Sequence, residues 1–169
     1  MIRLATFLSR GDLRPRLGAL DGDVLLDLSA AHGADWDMRR ALALPLAELR
    51  AMVAAATVRL PLAACHILPP IPNPGKIWCV GKNSKVHRAE LVAQGMLKED
   101  PQEPTSFVKL PETLVGEGAC VVRPEGITTF DYEPELAFIV TRRAFHVSRA
   151  DARAYVQGIT VLNDLTARE

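Results

Sequence analysis

Asp131-Tyr132-Glu133-Pro134-Glu135-Leu136-Ala137-Phe138-Ile139-Val140 is an apolar run entered through two glutamates one residue apart. Side chains on a β-strand alternate between its faces, so 133, 135, 137 and 139 are expected on one side, with Tyr132, Leu136, Phe138 and Val140 on the other, in a core. Both glutamates then reach the same side. A second apolar run, Ile159-Thr160-Val161-Leu162, is closed by Asn163 and Asp164. The stretch between the runs, Val147-Ser148-Arg149-Ala150-Asp151, offers an N-cap with an acidic residue three positions on, which predicts a helix from Ser148 to about Gln157, ended by Gly158. A strand, helix, strand order can return the chain beside its start and bring Asp164 near Glu133 and Glu135. Neighbouring carboxylates repel and are costly to bury unless a cation compensates them, and oxygen donors suit Mg²⁺, Mn²⁺ or Ca²⁺ better than zinc. The same Glu-x-Glu spacing on a solvent-facing strand is simply a charged face.

Working outward, the 169 residues are enough for one good core, or for a small domain plus part of a larger one. Lys+Arg and Asp+Glu both number 20, so the zero net charge leaves no electrostatic footprint for nucleic acid or an anionic membrane. A small-molecule partner is expected. The 12 prolines and 11 glycines, with only 5% aromatics, imply many turns and short elements, hence a strand-rich α+β fold. Apolar stretches are interrupted by Arg39, Arg40, Glu48 and Arg50 before they reach the roughly 18 residues of a membrane helix, and Met1-Ile2-Arg3-Leu4 lacks a signal-peptide layout. A cytoplasmic location is the expectation. Cys65, Cys79 and Cys120 are odd in number and lack C-x-x-C spacing, which argues against a disulfide framework or a zinc site. Cys79, inside Ile77-Trp78-Cys79-Val80, reads as an inert thiol on a buried strand.

Nearer the N-terminus, Asp21-Gly22-Asp23 separates two apolar runs and predicts a hairpin. The Ala- and Leu-rich stretch 35–56 predicts one or two amphipathic helices divided near Pro45. This block reads as a small α+β unit. It ends at Pro69-Pro70-Ile71-Pro72-Asn73-Pro74, where prolines bar regular structure, so a domain boundary is expected between 70 and 71. Beyond it the strand from Lys76 to Val80 leads through Gly81-Lys82-Asn83-Ser84, with Asn83 or Ser84 as cap, into a helix that stops at Gly95. His87 and Glu90 share a face of that helix, so the carboxylate could orient the imidazole as a general base, although such pairs are also ordinary surface contacts. Lys109 ends Phe107-Val108-Lys109, where its ammonium could meet an anionic substrate or be only a solvated charge. Gly116-Glu117-Gly118 is a turn without a phosphate-loop pattern, and neither Ser84 nor Ser106 has the setting of a hydrolase nucleophile. His32, His66 and His146 lie outside these motifs.

Gly81-Lys82-Asn83-Ser84-Lys85-Val86-His87-Arg88-Ala89-Glu90, Phe107-Val108-Lys109, Asp131-Tyr132-Glu133-Pro134-Glu135-Leu136-Ala137 and Gly158 to Glu169 together resemble the fumarylacetoacetate hydrolase family in order and spacing. Leu4-Ala5-Thr6-Phe7 with Arg14-Pro15-Arg16-Leu17-Gly18 resembles the small N-terminal unit of bacterial members. The resemblance implies an N-terminal α+β domain over 1–70 and, over 71–169, the first half of a mixed β-roll/β-sandwich catalytic domain. Family members carry further strands that complete the roll, so unpaired strand edges and exposed apolar faces are expected here. It implies a divalent metal, usually Mg²⁺, on Glu133, Glu135 and Asp164. It also implies a water-activating dyad of His87 and Glu90 on a lid-like segment, Lys109 on the substrate's carboxylate or enolate, and Asn83 in substrate binding. Ser84 stands where many members have tyrosine. The implied activity is hydrolysis of a C–C bond in 2,4-diketo acids of acylpyruvate type, in a homodimer. Oxaloacetate decarboxylation and hydroxymuconate-type isomerisation use the same site, and an assembly or binding module without catalysis is the alternative from another class.

Overall fold

The computed structural model describes residues 1–33, 35–95, 103 and 105–168, with the side chain of His87 outside that description. The chain forms two compact units, Met1–Ile71 with Val115–Glu169 as the first and Pro72–Leu114 as the second. The proline-rich exit therefore lies where the chain leaves the first unit.

The first unit opens with β1 (Leu4–Ser9), β2 (Arg16–Asp21) and β3 (Val24–Asp27), followed by α1 (Ser29–His32), α2 (Met38–Ala43) and α3 (Leu46–Ala54), then β4 (Arg59–Pro61) and β5 (Cys65–Leu68). The strands make one antiparallel sheet in the order β4-β3-β2-β1-β5. The predicted hairpin is the β2–β3 turn, with Asp21 paired to Val24 and Gly22 at φ 61°, a left-handed geometry that glycine adopts without Cβ strain. The predicted helical stretch is two helices divided at Pro45. Asp37 caps α2 by accepting the Arg40 N–H, and Pro45 precedes the first turn of α3. The short α1 was not expected from the sequence. Asp27 starts it by accepting the Ala30 N–H at 3.1 Å while taking the Arg16 guanidinium at 2.7 Å, so its buried carboxylate is paired.

Both faces of this sheet are used. Leu17, Ala19, Leu26 and Leu28 pack with Met38 and Ala41 of α2 and Leu49 and Met52 of α3. Ala5, Phe7 and Leu25 form the core on the other face, and a Cβ on Gly18 would come within 2.5 Å of the Leu25 side chain, so that position must stay small. At the β1–β2 turn, Asp12 accepts the Arg14 guanidinium and backbone N–H, which holds its carboxyl down at about 2 instead of 3.8. A lowered folded-state value contributes stability that is present above the unfolded value and lost as pH falls through the folded one. Asp12→Asn should therefore narrow its stability gap to wild type between about pH 4 and 2 and leave it constant from pH 5 to 7; circular-dichroism melts across that range check this.

The rest of the first unit holds β8 (Phe130–Asp131), β9 (Pro134–Val140), β10 (Val156–Asn163) and β11 (Thr166–Ala167), which follow β6 (Ile77–Gly81) and β7 (Thr105–Lys109) of the second unit, with β9 antiparallel to β10 and β8 to β11. β10 lies against α2, where a Cβ on Gly158 would stand in ordinary contact with Leu42 at 3.5 Å. Two expectations are corrected here. Ser148 does bind the Asp151 side chain and N–H, but only a 3₁₀ turn over Ala152–Tyr155 follows, and β10 already begins at Val156 because Val156 pairs with Val140 across a bulge. The Glu-x-Glu strand does alternate, yet its burial runs opposite to expectation: Leu136, Phe138 and Val140 are 57%, 57% and 53% exposed, whereas Ala137 and Ile139 are half-buried. Phe138 faces Ile159 and Leu136 faces Val161 across the ladder, so one apolar sheet face is open.

In the second unit, β6 (Ile77–Gly81) pairs antiparallel with β7 (Thr105–Lys109), and α4 (Lys85–Ala93) lies between them in sequence. The Ser84 carbonyl accepts the Arg88 N–H at 2.9 Å and Gly95 closes the end at φ 73°, as predicted. The strand expected to be buried is not, because Trp78 and Val80 are exposed and Cys79 is only half-buried.

Candidate metal centre and acid–base residues

Four strand ends meet where β8 passes into β9 and β10 into β11. The Asp164 N–H donates to the Glu133 carbonyl at 2.7 Å, and the Glu133 N–H donates to Asn163 Oδ1 at 3.1 Å, so the backbones of the two expected ligand segments are tied together. Asp164 is 6% exposed, Glu133 is half-buried and Glu135 is exposed. Glu135 lies opposite Leu162 in the ladder, on the face of Ala137 and Ile139, which is the side toward the interior of the unit.

Arg168 is the residue the sequence reading did not single out. Its Nε donates to Asp131 Oδ2 at 2.8 Å and another N–H of the fork bonds the Glu133 carboxylate. Its backbone N–H donates to the Thr129 carbonyl at 3.2 Å, and the Asp131 hydrogen bond, with the charge of Glu133, raises its already high pKa. The signal was a charge pattern across the β8–β11 ladder: Asp131 faces Thr166, so an arginine two positions beyond Thr166 stands diagonal to it.

Among the described residues, no group of three or more His, Cys, Asp and Glu side chains is arranged to hold a metal ion. The structure thus brings Glu133 and Asp164 to one corner with Glu135 next along β9, and a guanidinium stands at Glu133. All three are carboxylates, the donor type that suits a hard divalent cation. The corner also already places a positive group against the Glu133 carboxylate.

The acid–base residues lie in the second unit. His87 and Glu90 are both on α4, three residues apart, with Glu90 exposed; the His87 side chain lies outside the described residues. Asn83 is exposed in the turn before the helix, next to Lys82 at φ 54°, and Lys109 is half-buried at the end of β7, opposite Ile77. An open cavity on the first unit, lined by Asp23, Cys65, His66 and Glu117, contains none of the expected residues. Burial pushes the Cys65 thiol up, with the Asp27 charge adding to it, so that cysteine is not a ready nucleophile.

Residues 76–169 match the family model described as fumarylacetoacetate (FAA) hydrolase C-terminal. The chain belongs to the fumarylacetoacetate hydrolase family. It is 35% identical over its whole length to a fumarylacetoacetate hydrolase domain-containing protein 2 homolog of Dictyostelium discoideum, of which it covers 56%. It is 40% identical over 59% of its length to an oxaloacetate tautomerase of Bacillus subtilis, of which it covers 33%. The chain therefore spans about half the length, or less, of these relatives. The crystal structure of maleylpyruvate hydrolase from Sphingobium sp. SYK-6 in complex with manganese(II) and pyruvate superposes on 99% of the chain and 60% of its own, with a TM-score of 0.75 and 28% identity. The strand-rich α+β architecture is thus that of the family, whose members are enzymes. No helix among the described residues is long and apolar enough to cross a membrane.

Proposed function

We propose that this chain is the metal-holding part of a divalent-cation-dependent hydrolase that cleaves a C–C bond in 2,4-diketo acids of acylpyruvate or fumarylpyruvate type. The observation that carries the reading is the tied corner of the first unit, where the buried Asp164 is hydrogen-bonded through its backbone to Glu133, with Glu135 next on the strand. The manganese and pyruvate of the maleylpyruvate hydrolase neighbour support it. Glu133, Glu135 and Asp164 are the proposed ligands of Mg²⁺, Mn²⁺ or Ca²⁺. Such an ion, when bound, supplies Lewis acidity at the enolate-forming end of the substrate.

The remaining steps belong to side chains. His87, oriented by Glu90, takes a proton from water, whose oxygen bonds to the carbonyl carbon farther from the substrate's carboxylate. The C–C bond then breaks, its electron pair passes to the methylene carbon of the departing pyruvate enolate, and the proton held by His87 is delivered to that carbon, giving pyruvate and a carboxylic acid. Lys109 and Asn83 bind the substrate's oxygens, the ammonium offsetting charge that grows on them. The whole protein is proposed to be a cytoplasmic homodimer with neither nucleic acid nor membrane as partner, divided at 70/71 between a small N-terminal domain and the catalytic domain.

The oxaloacetate tautomerase relative favours a second outcome at the same residues, isomerisation or decarboxylation through the same kind of enolate. The open face carrying Leu136, Phe138, Ile159 and Val161 favours a module that assembles without chemistry of its own. Calorimetric titration of Mn²⁺ into the purified chain separates the metal-dependent readings from the assembly module, and analysis of the products then separates hydrolysis from isomerisation or decarboxylation. Wild type should bind saturably and Glu135→Gln at least about tenfold more weakly, a loss of about 1.4 kcal/mol. Equal affinity would remove Glu135 from the coordination, whereas self-association with no Mn²⁺ uptake would favour the assembly module.

A further inference from the structure

Glu133 is asked to serve two cations. In the structure its carboxylate is bonded by the Arg168 guanidinium, and in the metal reading the same carboxylate is a ligand. Arg168 does not depend on Glu133 for its position. Its Nε is anchored on Asp131 at 2.8 Å, its backbone is fixed to Thr129 at 3.2 Å, and the adjoining Thr166 and Ala167 pair with Asp131 and Phe130. The fork can therefore release Glu133 and keep Asp131. The side chain is 49% exposed, so the released N–H groups meet water at little cost. Asp131 has no place in the proposed ligand set, which gives its carboxylate a distinct job: it retains the arginine when Glu133 is withdrawn.

We propose that Arg168 is a resident counter-cation that occupies Glu133 until a divalent ion displaces it, with Asp131 as the arm that receives it. The inference rests on the metal reading above and adds a competitor to it. Because the planar guanidinium bridges two carboxylates, with one N–H on Asp131 and another on Glu133, lysine at the same place keeps the charge and loses the bridge.

Titrating Mn²⁺ calorimetrically into wild type, Arg168→Lys, Arg168→Gln and Asp131→Asn tests it. Arg168→Lys should bind Mn²⁺ several-fold more tightly than wild type and Arg168→Gln about tenfold more tightly. Asp131→Asn should bind several-fold more weakly, because the arginine then rests wholly on Glu133. In wild type, the Arg168 Nε–H resonance should shift on saturation with diamagnetic Mg²⁺, a readout that needs no variant. If Arg168→Lys equals wild type, the guanidinium acts only by distant charge and the inference falls. If Arg168→Lys binds more weakly, Arg168 positions Glu133 for the ion rather than competing for it, which also overturns it. Absence of Mn²⁺ binding in wild type and every variant would bring down the metal reading and the competition with it, whereas binding with unaltered affinities would bring down the competition alone.

Discussion

A His87→Ala chain should bind Mn²⁺ with wild-type affinity and turn over an acylpyruvate about 10²–10⁴-fold more slowly, the range that a positioned general base contributes. The expected separation comes from where the residues lie. The proposed ligands belong to the β8–β11 segment of the first unit, while His87 sits on α4 in the second, in a different stretch of chain. Losing an imidazole from α4 removes no carboxylate and disturbs none of the hydrogen bonds that tie Glu133 to Asn163 and Asp164. Calorimetry and pyruvate release, measured on the same preparations, give the two readings. Glu90→Gln should lower turnover less, because it loosens the base without deleting it. A fall in Mn²⁺ affinity in His87→Ala would mean that the histidine belongs to the metal's coordination, and unchanged turnover would move the base elsewhere.

What the sequence made legible was local. Asp21-Gly22 marked a two-residue turn because few residues other than glycine tolerate that geometry, and Pro45 divided two helices because it cannot continue one. The carboxylates at 133, 135 and 164 were legible as a group only because alternation and strand return are regular. What stayed hidden depended on partners distant in the chain. Whether Leu136, Phe138 and Val140 face a core or the open side is decided by what packs on the ladder, and alternation gives only that they share a face. Ser148 and Asp151 start a turn, yet Val156 prefers its place opposite Val140, so cross-strand pairing overrode a correct capping signal. Arg168 meets acidic groups 35 and 37 positions earlier, a contact that exists only once β8 and β11 have paired.

Phe7→Ala should lower the stability of the first unit by about 3–5 kcal/mol, read as a drop in the urea midpoint at unchanged slope. Phe7 is fully buried, and its cluster draws on the whole sheet: Ala5 of β1, Leu20 of β2, Leu25 of β3, Leu60 of β4, and Cys65 and Ile67 of β5. Removing the ring therefore forfeits its transfer free energy and leaves a cavity that paired strands on both sides of β1 cannot close. Against the 5–15 kcal/mol typical of a domain, that is a large share of the total. Phe7→Leu, which refills most of the volume, should cost under about 1.5 kcal/mol. The damage should stay out of the carboxylate corner. Phe7 lies on the sheet face away from the helices, whereas β10 rests on the helix side, with Gly158 against Leu42 of α2. Mn²⁺ affinity per folded molecule should therefore match wild type in Phe7→Ala at a temperature where it remains folded, and a weaker affinity there would show that the N-terminal sheet sets the geometry of the corner as well as its stability.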